Sequence, residues 1–172
     1  MPVVVAIYGP KGAGKSQVAQ ALHERYGVVP VDPDEVVLDL LSRGAQPHPT
    51  DGWLMPVEQA VLDALRGNRA VSVEATGAWT SDWQLARDVE ATGVQVLRIW
   101  VCSPLQTTLD RLARRTSRKA QTTVEEARSI YQFACDQARN QWFDLRLDTG
   151  RLHLDDLPAA LFPLAASLTP DR

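Results

Sequence analysis

The sequence predicts one three-layer α/β/α domain over residues 1–172, with a five-stranded parallel sheet between two layers of helices. Two observations lead to this prediction. Short, β-branched apolar runs alternate along the chain with segments in which apolar residues recur every three or four positions. No internal repeat, low-complexity tract or linker interrupts the alternation. Strands that alternate with helices are joined by right-handed crossovers, which place parallel strands in one sheet with helices on both faces.

The five predicted strands are short apolar runs that end close to turn residues. The first, Val3–Tyr8, is apolar throughout and is followed by Gly9-Pro10, as expected of a strand that is buried on both faces. The other strands are predicted over residues 28–31, 70–74, 94–101 and 145–147.

The predicted helices begin at residues that favour helix N-termini, and several end near a glycine. Asp32 suits an N-cap position. Ser103 with Gln106, and Thr123 with Glu126, have the spacing of capping boxes. The helices are predicted over residues 15–26, 33–43, about 57–65, 80–91, from 103 onwards, 123–141 and from 154 onwards.

The composition excludes several classes of protein. Of the 172 residues, 45% are apolar and 23% are charged, which differs from a disordered chain, a collagen or a disulfide scaffold. No apolar run approaches the ~18 residues of a membrane span, and the N-terminus lacks the features of a secretory signal. Cys102 and Cys135 fit a reducing compartment, so we expect a cytoplasmic protein. The net charge of −3 argues against a nucleic-acid coat protein.

One loop near the N-terminus predicts phosphate binding. The residues from Gly9 to Ser16, GPKGAGKS, match G-x-x-x-x-G-K-[ST] between a predicted strand and a predicted helix. Main-chain N–H groups of such a loop form a nest for phosphate oxygens, Lys15 reaches the β- and γ-phosphates, and the Ser16 hydroxyl binds Mg²⁺. The residues expected to bind ATP here are Gly9, Lys11, Gly12, Ala13, Gly14, Lys15, Ser16 and Gln17.

Missing motifs narrow the class of nucleotide-binding protein. The sequence has no Asn/Thr-Lys-x-Asp motif, which GTPases use to read guanine. The third predicted strand ends in Val73-Glu74-Ala75, without the Asp-Glu pair typical of motor-like and AAA-type ATPases. These absences favour the small P-loop kinases.

Four segments, in chain order, resemble the small P-loop kinase superfamily, and the pattern is most like that of shikimate kinases. The segments are the phosphate loop, Val31-Asp32-Pro33-Asp34, Arg111-Leu-Ala-Arg-Arg115 and Leu147-Asp148-Thr149-Gly150-Arg151. Ala75-Thr76-Gly77 stands where shikimate kinases have a triple glycine. The resemblance implies the P-loop NTPase fold with strand order 2-3-1-4-5, an acceptor-binding region at about 33–66 and a helical lid at about 111–124.

The resemblance also implies roles for the two acids that follow the second strand. Asp34 would accept the proton of an acceptor hydroxyl, and Asp32 would hold the Mg²⁺ shell through water. From the residues alone, both acids also suit the start of a helix, so a capping role remains the alternative. We further predict acceptor contacts for Trp53, Glu74 and Gly77. Two other roles are alternatives for Glu74: it orients Mg²⁺-bound water, or it is a structural carboxylate.

Cations in the predicted lid form a dense group. Like charges so close together repel one another unless an anion neutralises them, and a triphosphate would do so. By resemblance, Arg111 contacts the nucleotide, Arg115 stabilises the transferring phosphoryl group, and Thr149, Gly150 and Arg151 border the adenine. A solvated basic face, a nucleic-acid patch and an ordinary turn after the last strand are the alternatives. The cations are Arg111, Arg114, Arg115, Arg118 and Lys119.

Together these residues predict an enzyme that transfers the γ-phosphate of Mg·ATP to the hydroxyl of a small molecule. The alternatives are a nucleoside-monophosphate or dephospho-coenzyme A-like kinase, an ATP-binding regulatory module and a polynucleotide 5′-kinase. We expect a small-molecule acceptor as partner, no membrane, and no nucleic acid, since the chain has no basic stripe with interleaved aromatic residues. Neither the acceptor nor the oligomeric state is predicted.

Overall fold

The computed structural model describes residues 1–48, 52–114 and 123–169. It contains a five-stranded sheet in which all pairs are parallel and the order is β2-β3-β1-β4-β5. The predicted fold class and strand order are therefore confirmed. The strands are β1 (Val3–Tyr8), β2 (Val29–Val31), β3 (Ala70–Ala75), β4 (Gln95–Cys102) and β5 (Leu145–Asp148).

The register brings the strand ends together at one edge. Tyr8, the last residue of β1, pairs with Ala75 of β3 on one side and Trp100 of β4 on the other. The loops that follow all five strands consequently open along the carboxyl edge of the sheet. Ligands bind at this edge in open α/β sheets, on either side of the point where the strand order reverses.

Six helices of nine or more residues flank the sheet in the described part of the chain. They are α1 (Lys15–Tyr26), α2 (Pro33–Ser42), α3 (Leu54–Gly67), α4 (Thr80–Ala91), α5 (Leu105–Ala113) and α6 (Val124–Arg139). After β5 the chain forms short turns of helix: the 3₁₀ segment Leu154–Asp156, α7 (Leu157–Ala160), the 3₁₀ segment Phe162–Leu164 and α8 (Ala165–Leu168). None of the described helices is long and apolar enough to cross a membrane.

Several helix boundaries differ from prediction; α3, for example, spans Leu54–Gly67 rather than about 57–65. The Thr123–Glu126 capping box forms, but the Ser103–Gln106 box does not, because the buried Ser103 hydroxyl bonds Thr108 Oγ1 at 2.7 Å and α5 begins at Leu105. Helix α6 ends at Arg139 rather than 141. The single helix expected from 154 onwards is divided into short pieces, since prolines 158 and 163 each lack the N–H that an uninterrupted helix requires.

Two apolar cores lie on the two faces of the sheet. Alternate residues of β1 point to opposite faces, so that Val5 and Ile7 belong to one core while Ala6 and Tyr8 belong to the other. The first core packs under α1 and the short C-terminal helices. The second packs under α3, α4 and α6. Both faces of β1 are thus buried, as its unbroken apolar sequence predicts.

Candidate active site

The phosphate loop, residues 9–16, joins β1 to α1 through a backbone path that only glycine allows. A Cβ on Gly9 would lie 2.1 Å from the carbonyl oxygen of Val101. Gly14 has a φ of 98° and is the N-cap of α1, where no side chain caps the helix. The loop is therefore a concave backbone cradle at a helix N-terminus, which is the geometry that binds phosphate.

Lys15 and Ser16 lie at the start of α1, as the motif requires. The Lys15 ammonium donates to the carbonyl oxygens of Gly9 at 2.8 Å and Pro10 at 3.2 Å, and so lies over the loop. The Ser16 hydroxyl donates to Glu74 Oε2 at 3.2 Å. The fold thus brings a hydroxyl of the phosphate loop against a carboxylate that is 58 positions away in sequence.

The Ser16–Glu74 pair fits a magnesium ion. Mg²⁺ prefers hard oxygen ligands and is held in phosphate-binding sites by one or two protein oxygens together with substrate phosphates and water. A hydroxyl and a carboxylate beside a phosphate cradle supply such a set. Among the described residues, no group of three or more His, Cys, Asp or Glu side chains forms a self-contained metal site.

Asp32 and Asp34 lie at the junction of β2 and α2. Asp32 Oδ1 accepts a hydrogen bond from the Asp34 N–H at 2.9 Å and caps α2, so the capping interpretation of Asp32 is confirmed. The Asp34 side chain is exposed on the first turn of α2. Since β2 neighbours β3 at the carboxyl edge, Asp34 and Glu74 belong to the same half of the site, which we call the β2–β3 side.

Hydrogen bonds to the Asp82 carboxylate stabilise the loop after β3. Asp82 Oδ2 accepts hydrogen bonds from Thr76 Oγ1 at 2.6 Å and from the Gly77 N–H at 2.7 Å. Gly77 has a φ of 72°, and a Cβ there would lie 3.1 Å from Cζ2 of the buried Trp83. These contacts explain Gly77 structurally, and its predicted acceptor contact stays a prediction. Sequence reasoning missed Asp82, although an acid three residues after Trp79, the N-cap, is itself a helix-start signal.

The tryptophans divide between core and surface. Trp83 stacks on Tyr8 with ring centroids 4.2 Å apart, and Trp100 is also buried. Trp79 is 53% exposed at the start of α4. Trp53 is partly buried at the start of α3, and its predicted acceptor contact stays a prediction.

On the opposite half of the site, the β4–β5 side, Thr149 joins three elements. Its hydroxyl donates to Ala13 O of the phosphate loop at 2.6 Å, and lies 3.2 Å from Cys102 O at the end of β4. The Arg111 guanidinium donates from Nη1 to Thr149 Oγ1 at 2.9 Å and from Nη2 to Thr149 O at 2.8 Å. Arg111 Nη1 also lies 3.5 Å from Gly12 O. Residues 111, 149 and the phosphate loop are therefore close together, as predicted for a nucleotide site.

The two residues after Thr149 both contact the Asp148 carboxylate. The Gly150 N–H donates to Asp148 Oδ1 at 2.9 Å, and Arg151 Nε lies 3.5 Å from Asp148 Oδ2. The Arg151 side chain is 88% exposed, so this ion pair contributes little to stability. The proposed roles of Gly150 and Arg151 beside the nucleotide stay predictions.

Uncharged groups line the interior of the β4–β5 side. Burial raises the pKa of the Cys102 thiol above its ordinary value. Burial also raises the pKa of Tyr131 to about 12, and the Tyr131 hydroxyl donates to Ser103 O at 2.9 Å. Both groups are therefore neutral near pH 7. The predicted lid residues Arg115, Arg118 and Lys119 lie outside the described residues, whereas Arg114 is exposed at the end of α5.

Comparison with known proteins identifies the family. Residues 4–133 match the AAA_33 family, which is described as an AAA domain. The chain belongs to this family of P-loop kinases. The predicted membership of the P-loop kinases is thereby confirmed. The absence of an Asp-Glu pair from the third strand was the sequence argument against AAA-type ATPases. The AAA description applies to this chain although β3 lacks that pair, and the acid at that place is Glu74.

Individual proteins agree with this assignment. The chain is 25% identical to a cytidylate kinase of Natronomonas pharaonis, over 98% of this chain and 92% of that one. It is similar in structure to the tunicamycin resistance protein of Deinococcus radiodurans, with a TM-score of 0.67, 24% identity and coverage of 99% and 100%. It is also similar to a shikimate kinase of Acinetobacter baumannii, with a TM-score of 0.64, 20% identity and coverage of 97% and 94%. The AAA_33 protein is an enzyme of the kinase class.

Proposed function

We propose that this kinase transfers the γ-phosphate of Mg·ATP to a hydroxyl group of a small molecule. The observation that supports the proposal is the contact of Ser16 with Glu74 beside a glycine-lined phosphate cradle. A hydroxyl and a carboxylate beside such a cradle are oxygen groups of the kind that Mg²⁺ prefers next to the phosphates of a nucleotide, and this supports the proposal.

The phosphate loop and its neighbours bind the donor. Lys15, whose ammonium already lies over the loop, binds the β- and γ-phosphates. Ser16 would hold Mg²⁺, and Glu74, which accepts a hydrogen bond from Ser16, would orient water bound to that metal. The position of Glu74 therefore supports the metal-water role rather than the predicted acceptor contact. Asp32 orients water around the metal from the start of α2, in addition to capping that helix. The metal supplies neutralisation of the charge on the phosphate oxygens.

The acceptor binds on the β2–β3 side. Asp34, at the start of α2, orients the acceptor hydroxyl and accepts its proton while the oxygen forms a bond to the γ-phosphorus. The bond from phosphorus to the β-phosphate oxygen breaks, and ADP is the leaving group. Arg115 stabilises the transferring group from the lid, and closure of the lid excludes water, which would otherwise compete as acceptor.

A nucleoside-monophosphate kinase is the second candidate. The similarity to a cytidylate kinase over 98% of the chain favours it. In that reaction the acceptor is a phosphate, which is already ionised and requires no base. Loss of the Asp34 carboxylate would then have little effect on turnover.

A coupled assay of ADP release tests the proposal. The full chain is supplied with Mg·ATP and, in turn, with hydroxy acids, sugars, nucleosides and nucleoside monophosphates. We expect ADP release to rise strongly above the rate without acceptor in one of the hydroxyl classes. Stimulation by nucleoside monophosphates alone would establish the second candidate. A slow rate that no acceptor changes would instead indicate an ATP-binding regulatory module.

A further inference from the structure

The helix that carries the proposed base also carries an exposed pair of leucines. Leu38 and Leu41 follow Asp34 by four and seven positions, a spacing that places the three side chains on one face of α2. All three residues are exposed. The two leucines, which we call the α2 stripe, lie about 6 and 10 Å from Asp34 along the helix axis. An apolar surface therefore borders the carboxylate to which we assign the acceptor hydroxyl.

Two more exposed apolar side chains, Trp79 and Met55, lie at the carboxyl edge of the sheet. Trp79 is the N-cap of α4, which follows the carboxyl end of β3 after a short loop. Met55 is in the first turn of α3, whose other end precedes the start of β3. The 14 residues of α3 span about 21 Å, which is about the length of the six-residue β3. The first turn of α3 therefore lies at the edge where β3 ends and where Glu74 contacts Ser16.

Hydrogen bonds fix the loop that presents Trp79. The Asp82 carboxylate accepts from the hydroxyl of Thr76 and from the N–H of Gly77. On the other side of the loop, Trp83 Nε1 donates to Gly77 O at 3.2 Å. The loop therefore has its conformation before any acceptor binds. An aromatic side chain presented in this way binds a ring at a small cost in conformational entropy.

We infer that the acceptor carries an apolar or aromatic ring next to its reactive hydroxyl, and that this ring packs on the Trp79 indole and against the α2 stripe while the hydroxyl reaches Asp34. Exposed apolar side chains grouped beside a few polar groups are typical of ligand-binding surfaces. A ring bound there removes apolar surface of both molecules from water, and its stacking on an indole adds to that gain. The inference rests on the proposed transfer to a hydroxyl and names the class of compound that carries it.

Three diols that differ in one substituent test for the ring. The full chain is supplied with Mg·ATP and with ethane-1,2-diol that bears a phenyl, a cyclohexyl or a methyl group, and ADP release is measured. We expect kcat/KM for the phenyl diol, the cyclohexyl diol or both to exceed that for the methyl diol by at least about tenfold, because the ring buries several more apolar carbons.

The outcomes separate this inference from the proposed function. A ratio below about tenfold for both ring diols overturns the inference. Stimulation of ADP release by sugars or hydroxy acids, but by neither ring diol, also overturns it and leaves the proposed function standing. Failure of every hydroxyl compound to stimulate ADP release overturns the proposed function instead.

Variants of the full chain locate the bound ring. Trp79→Ala should raise KM for the preferred ring diol by about tenfold, the cost of one stacking contact, and should change kcat little. Trp79→Phe, which keeps an aromatic face, should restore most of the affinity. Leu38→Ala should raise the same KM several-fold, because it removes part of the α2 stripe. Calorimetry should show unchanged binding of Mg·AMPPNP in every variant, which demonstrates that each is folded.

Trp142→Ala is the matched control. Trp142 is 69% exposed, against 53% for Trp79, but it precedes β5 and so lies away from the carboxyl edge. We expect its substitution to leave KM for the ring diol unchanged. An unchanged KM in Trp79→Ala or in Leu38→Ala, or an equal rise in Trp142→Ala, overturns the inference.

Discussion

The two sides of the candidate site differ in how firmly the fold holds them. On the β4–β5 side, Thr149 is buried and is bonded to the phosphate loop, to the end of β4 and to Arg111. On the β2–β3 side, α2 buries none of its ten residues, and Leu38 is 60% exposed although it is aliphatic. The β4–β5 side, which we assign to the nucleotide, is therefore preorganised by hydrogen bonds, whereas α2 on the β2–β3 side, which we assign to the acceptor, has no buried residues.

The difference has a chemical reason. Donor nucleotides share one triphosphate, so a rigid backbone cradle suits them all. Acceptors vary in shape, and an enzyme that must exclude water gains from a surface that closes only after the acceptor has bound. Segments that move in this way have few buried contacts, and α2 has that property.

The largest expected effect concerns the rigid side. Lys15→Ala should reduce phosphoryl transfer by about a thousandfold or more, on the order of 4 kcal/mol of barrier, because the variant loses the cation that binds the β- and γ-phosphates. Steady-state kinetics measures the loss. Arg25→Ala, an exposed cation farther along the same helix, is the matched control and should retain activity. Comparable activity in the two variants would refute the assignment of Lys15.

The second prediction compares one substitution on two helices. Leu22→Ala in α1 removes a fully buried side chain from the core and should lower the free energy of unfolding by about 3 kcal/mol. Leu38→Ala in α2 should change it by less than about 0.5 kcal/mol, since that side chain is mostly exposed. Urea denaturation followed by circular dichroism measures both. A large loss in Leu38→Ala would mean that α2 is packed as firmly as α1.

The third prediction concerns chemistry on the open side. Asp34→Asn should slow transfer to a hydroxyl acceptor at least tenfold, about 1.4 kcal/mol of barrier, because the amide cannot accept the proton. Calorimetry with Mg·AMPPNP should show unchanged nucleotide binding, since Asp34 lies away from the β4–β5 side. Turnover near that of the unmodified enzyme would exclude Asp34 as the base.

The smallest effect is the reactivity of the thiols. Burial raises the pKa of both Cys102 and Cys135. Because the thiolate is the reactive form, each should react with iodoacetamide several-fold more slowly than a free thiol at pH 8, and the rate should rise as the pH approaches the raised pKa. Mass spectrometry of the alkylated peptides gives the two rates. A reaction as fast as that of free cysteine would show that this part of the β4–β5 side opens readily.

Most of the fold could be predicted from the sequence because its strands, helices and phosphate loop depend on residues that are adjacent in the chain. The unbroken apolar run of β1 and the glycines of the phosphate loop each require a particular backbone wherever they occur. The boundary at Ser103 was wrong for a different reason: its hydroxyl had two possible partners, and the buried one, Thr108, formed the bond. Competition of this kind depends on burial, which the sequence does not show.

The amino-acid sequence alone determined the order of strands and helices along the chain and the phosphate loop, since these follow from periodicity and from a motif whose spacing is contiguous, and the resemblance of four segments indicated the kinase family. Only the tertiary structure decided that Glu74 contacts Ser16 and that Thr149 binds both Arg111 and Ala13. Those pairs are separated by between 38 and 136 positions along the chain. Their contact results from the packing of neighbouring strands at one sheet edge, which is a property of the whole domain.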